Sequence, residues 1–206
     1  MNKKTTLLLG FSAFLLFIVC ASIAFNYLSD NTAPPEILQP PPAVNNPSSA
    51  TQPSDTTDTP KDTQADERTF APDFTAEDWD GNEIRLSDFF GTPIVLNFWA
   101  SWCPPCKQEM PDFDTVYMDL GDEVAFVMVC LADGVRETKD TGKKYITAQG
   151  YSFPVYFDLT REAGIAYGVT SIPTTVFIDR DGVIVTFAQG AIDEGTLRRG
   201  IEMIWK

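Results

Sequence analysis

Two cysteines three residues apart, Cys103 and Cys106, stand at the seam between two apolar patterns of different period. Before them runs Ile94-Val-Leu-Asn-Phe-Trp-Ala100, with a single polar member, which reads as a strand covered on both faces. After them, the apolar residues from Cys103 to Leu120 recur at helical spacing. The chain therefore passes from a buried strand directly into a helix whose first turn carries both thiols. Unpaired N–H groups and the macrodipole at a helix start favour an anion, so Cys103 should ionise more readily than a free thiol. Cys106, one turn in, lies within reach of a mixed disulfide formed at Cys103, which is the requirement for thiol-disulfide exchange. Pro104 and Pro105 fix φ at positions whose N–H groups a helix leaves unpaired anyway.

Two other uses of such a pair are weaker. A structural bridge closing so short a loop adds little stability. A zinc site needs further ligands, but the chain has no histidine, and its other cysteines, Cys20 and Cys130, are isolated. The missing histidine also excludes Ser-His-Asp and Cys-His catalysis. Neither a metal nor another cofactor is expected.

The chain divides by composition. Residues 1–29 carry Lys3-Lys4 and then an uncharged apolar run to Leu28, long enough to span a bilayer as a helix. Basic residues before the run and acidic ones after it place the remainder outside the cytoplasm. The expectation is a single-pass membrane anchor with the catalytic part extracytoplasmic. The small residues Ser22-Ile-Ala24 also suit signal-peptide cleavage, which would make the protein secreted. Residues 30–69 hold eight of the fifteen prolines and no glycine, so they read as a disordered, fairly stiff linker.

Residues 70–206 have the size and patterning of one domain. The expected order is a hairpin from Phe74 to Leu86 around Asp80-Gly81, the strand to Ala100, and the helix from Cys103 to Leu120. A strand Val124 to Cys130, a helix Arg136 to Gln149, a strand at Val155 to Phe157 and a helix Thr160 to Tyr167 follow. Strand Thr174 to Ile178, the turn Asp181-Gly182, strand Val183 to Ala188 and a helix from Asp193 to Trp205 complete it. Strands alternating with helices imply a parallel core, and an Asp-Gly hairpin implies an antiparallel edge, giving a mixed α/β fold. This region has 22 acidic and 11 basic residues, a net −11 that argues against nucleic acid and suits solubility or basic partners.

Several stretches together resemble the ResA/TlpA-like branch of membrane-tethered thioredoxins. They are Ala71-Pro-Asp-Phe74, Leu86-Ser-Asp-Phe89, Pro93 through Cys106, Glu109-Met-Pro111, Ala166-Tyr-Gly-Val169, Ser171-Ile-Pro-Thr-Thr175, Phe177-Ile-Asp179 and Asp181-Gly182. The resemblance covers nearly all of 70–206. It implies a thioredoxin fold with an N-terminal β-hairpin extension and a central helix-strand insertion. It implies Cys103 as attacking thiolate, Cys106 as resolving thiol, and a redox-active disulfide between them. Pro173 would be a cis-proline facing the pair, with Ile172 offering backbone groups to substrate and Trp102, Pro104 and Pro105 completing the contact surface. Trp102 is also expected to shield one side of the sulfurs.

Glu109 matches an acidic position of that branch and lies three residues after Cys106, on one helix face, where a carboxyl can exchange protons. Asn97 stands where ordinary thioredoxin keeps a buried Asp, and an amide cannot accept that proton, which moves the acid-base role toward Glu109. Cys130 is expected to be a buried small hydrophobe.

By the resemblance, the protein reduces disulfides in exported proteins, among them apocytochrome c. A membrane dithiol donor would then re-reduce it, and a monomer is expected. Other possibilities are a disulfide-forming oxidase, or the reductant of an exported peroxidase or methionine sulfoxide reductase. A peroxiredoxin and a copper-binding module fit less well, the first for its motif and the second for want of histidine.

Overall fold

A computed structural model describes residues 68–205. The expected anchor or signal peptide at 1–29, Cys20 within it, and the linker up to residue 67 lie outside the described residues. Among the described residues, no helix is long and apolar enough to cross a membrane.

The elements are β1 (Thr75–Glu77), β2 (Glu83–Arg85), a short 3-10 turn (Leu86–Phe89), β3 (Ile94–Trp99), α1 (Pro104–Leu120), β4 (Ala125–Leu131) and α2 (Lys139–Gln149). There follow β5 (Val155–Asp158), α3 (Glu162–Ala166), β6 (Thr174–Ile178), β7 (Ile184–Gln189) and α4 (Glu194–Ile204). The strands form one sheet in the order β2-β1-β5-β4-β3-β6-β7. β3, β4 and β5 are parallel, while the β1–β2 hairpin and the β6–β7 pair flank them antiparallel. This is the expected mixed α/β architecture, with the hairpin extending one edge and α2 plus β5 forming the helix-strand unit after β4.

β3 sits at the centre because both its faces are apolar. Val95 and Trp99 join Met110, Phe113, Leu197 and Ile201 beneath α1 and α4. Ile94, Leu96 and Phe98 join Phe74, Leu86 and Ala163 on the other face. This is the period-two alternation of a strand, doubled because both faces are covered. α4 approaches the sheet closely at Gly200, where an added Cβ would stand 2.2 Å from the Phe177 ring. Gly200→Ala should therefore lower stability by about 1–3 kcal/mol through overpacking, despite alanine's better helix propensity, as urea denaturation would show.

The departures from the expected boundaries have local causes. α2 starts at Lys139 rather than Arg136, because the backbone N–H groups of Val135, Arg136 and Glu137 all donate to Asp133 Oδ1. Thr138 then caps the helix, its hydroxyl accepting Thr141 N–H at 3.1 Å. α3 starts after Arg161, whose φ of 68° is left-handed. The turn Leu86–Phe89 is too short to show a period in the sequence, and it is shaped by Asp88 accepting the Arg85 N–H at 2.8 Å.

At the start of the described chain, Ile184 N–H donates to Thr69 carbonyl and Ala71 N–H to Gly182 carbonyl, both at 2.8 Å, tying residues 69–71 to the entry of β7. Asp73 then accepts bonds from Arg85, from the Ser87 N–H and hydroxyl, and from Phe74 N–H.

Candidate active site

β3 delivers the chain to Ala100, and α1 begins at Pro104, so the dithiol occupies the turn between them. Cys103 is the N-cap, extended at φ −83° and ψ 111°, and its sulfur accepts the Cys106 N–H at 3.3 Å. Pro104 and Pro105 fill the first two helical positions. Cys103 and Cys106 are joined as a disulfide with Cα atoms 5.3 Å apart. Both are buried, within a rim of exposed Trp102, Pro104 and Pro105. Opposite them the Ile172–Pro173 bond is cis, and Ile172 carbonyl lies 3.6 Å from Cys103 Sγ. In the reduced state that carbonyl can receive the Cys103 S–H, and the helix start can hold the thiolate.

Glu109 is no solvated helix residue. Only 2% of it is exposed, and its oxygens accept Asn97 Nδ2–H at 2.9 Å and Ile192 N–H at 3.1 Å. Burial pushes its carboxyl up to about 8, against the pull of those two hydrogen bonds. The amide of Asn97 also donates to Thr175 Oγ1 at 3.0 Å, while its own oxygen is buried without a partner among the described residues. Asn97 thus stays beside the acid-base chemistry without taking a proton itself.

Trp102 is 40% exposed, and the Arg136 guanidinium stacks 3.2 Å from its ring centre. Trp99 is entirely buried, part of the core. Cys130 is buried and free, its thiol pushed up by burial and then by the Glu137 charge.

Residues 68–187 match the AhpC/TSA family. The chain belongs to that family. Within it, the chain is 35% identical over 137 residues to thiol-disulfide oxidoreductase ResA of Geobacillus thermodenitrificans, covering 65% of this chain and 75% of ResA. A solved thioredoxin-family thiol:disulfide interchange protein from Chlorobium tepidum is 28% identical, with a TM-score of 0.60 over 68% of this chain and 97% of its own. StoA from Bacillus subtilis is 28% identical, with a TM-score of 0.56 over 63% and 96%. This AhpC/TSA member is a ResA-like thiol-disulfide oxidoreductase on a thioredoxin fold, as the sequence resemblance implied.

One residue important to the site carries no sequence signal. Glu137 is fully buried, its carboxylate accepting the Ser101 N–H and the Thr141 hydroxyl, which fastens the turn just before Trp102. It stands in the polar stretch Asp133 to Thr138, where nothing distinguishes it from a loop carboxylate. Thr175 did leave a trace. It is a polar residue in an apolar strand, paired in register with Asn97, the one polar residue of β3.

Proposed function

We propose that this oxidoreductase works outside the cytoplasm as a reductant of disulfides in exported proteins, apocytochrome c being one candidate by resemblance. The dithiol at the start of α1, facing the cis-proline edge and backed by a buried carboxyl of raised pKa, is the observation that carries the reading. The Cys103 thiolate attacks a substrate disulfide, forms a mixed disulfide and releases one substrate thiolate. Cys106, deprotonated with help from Glu109, attacks Cys103 Sγ and releases the second. Two electrons pass to the substrate, and the Cys103–Cys106 disulfide remains for a membrane dithiol donor to reduce. Trp102, Pro104, Pro105, Ile172 and Pro173 form the surface on which substrate lies. The apolar run at 1–29 and the linker that follows support a tethered, extracytoplasmic placement of a monomeric domain.

The reducing direction is tested by equilibration against defined thiol buffers. A potential near about −270 mV is expected, whereas one near about −120 mV would make the protein an oxidant. A Cys106→Ala variant expressed in the native cell should retain its substrates as mixed disulfides. Recovery of apocytochrome c supports that pathway, and its absence among the captured proteins removes it.

A further inference from the structure

A groove of about 560 Å³ opens beside the dithiol, with Trp102 and Ile172 among its walls. Asp158, at the end of β5, lines it too, although only 1% of the residue is exposed. Its Oδ2 accepts the Gly164 N–H at 2.9 Å. Its Oδ1 is buried and has no partner among the described residues. A buried carboxylate oxygen without a donor carries a desolvation cost that an incoming N–H relieves. Asp133 adds a second groove carboxylate, held in the ionised form by the backbone N–H groups of Glu137, Val135 and Arg136. The cation among the groove residues is Arg161, which is exposed. The buried, unsatisfied group is therefore an acceptor, on a domain of net −11.

We propose that this groove is a substrate subsite for a lysine or arginine side chain close to the reacting cysteine, with Asp158 Oδ1 accepting its N–H. The proposal rests on the disulfide-reductase reading and specifies which substrates that site prefers. Ile172 belongs to the groove wall and its carbonyl lies 3.6 Å from Cys103 Sγ. An extended substrate advances about 3.3 Å per residue, so three positions on either side of the cysteine sample about 10 Å of the groove in each direction.

The test uses the dithiothreitol-reduced full-length chain and short peptides whose single cysteine is disulfide-linked to 2-mercaptoethanol. Lys, Gln or Glu is placed at each of the three positions before and after the cysteine, and the reduction rate is followed. At one position the Lys peptide should react about tenfold faster than the Gln peptide, the scale of one charge-assisted hydrogen bond at a half-open site. Asp158→Asn should abolish that difference. Arg161→Asn, which tolerates the left-handed backbone, should enlarge it by removing a like charge. Equal Lys and Gln rates, a preference spread evenly over all six positions, or a preference for Glu would each overturn the proposal. Failure to reduce even the Gln peptides would instead overturn the reductase reading.

Discussion

Replacing Cys103 with serine is expected to abolish disulfide reduction, with a loss of roughly a thousandfold or more, because a hydroxyl at neutral pH supplies no anion comparable to a thiolate. The two remaining thiols among the described residues cannot take over: Cys106 is fully buried inside the first turn of α1, behind position 103. Cys130 is buried, and its thiol is pushed up by burial, so it is neither accessible nor ionised. Cys106→Ser should fail differently. Its helix start and Cys103 remain, so the first attack proceeds and a mixed disulfide accumulates, with at most one substrate equivalent released. The two outcomes are separated by mass spectrometry after mixing each reduced variant with a peptide disulfide. Turnover by Cys103→Ser at the wild-type rate would sink the assignment of the attacking sulfur.

Glu109→Gln should change how stability depends on pH. The native carboxyl titrates at about 8 against an ordinary value of 4.5, raised chiefly by burial. Below pH 4.5 the group is neutral in folded and unfolded chains alike, and the native state carries no charge-burial cost. Between about 4.5 and 8 the unfolded chain gives up the proton while the native state keeps it, so stability falls as pH rises. The fall is complete above about 8. At about 1.4 kcal/mol per pKa unit, the loss is on the order of 5 kcal/mol. Glutamine has no proton to lose and escapes this decline. Its NH₂ must, however, face one of the two N–H donors from Asn97 and Ile192, costing about 1–3 kcal/mol at any pH. The variant should thus be less stable than wild type at pH 5 and more stable at pH 9. Urea denaturation of the oxidised chain, in which the dithiol does not titrate, measures this. Parallel stability profiles for the two proteins would show that Glu109 is ionised throughout.

The fold was largely legible because each strand and helix carries its own period, and the Asp-Gly turns mark both antiparallel hairpins. The cysteine pair was legible for the same reason, being local to one strand-helix junction. Glu109 shows where such reading stops. Its spacing puts it on the face of Cys106, but its burial depends on Ile192, far along the chain, folding over it. Asp158 lies just past the strand expected at Val155 to Phe157, and its burial and unsatisfied oxygen emerge only in the folded chain. Glu137 likewise gains its role from Ser101, a partner that no periodicity predicts.

The bonds that tie residues 69–71 to the entry of β7 bear on mechanics. A pull arriving from residues ahead of Arg68 meets the Thr69–Ile184 and Ala71–Gly182 bonds first, and behind them the Asp73 cluster. None of these attachments belongs to the turn that holds the dithiol. Tension entering at residue 69 is therefore resisted first at the sheet border, by bonds that share no residue with the Cys103 turn.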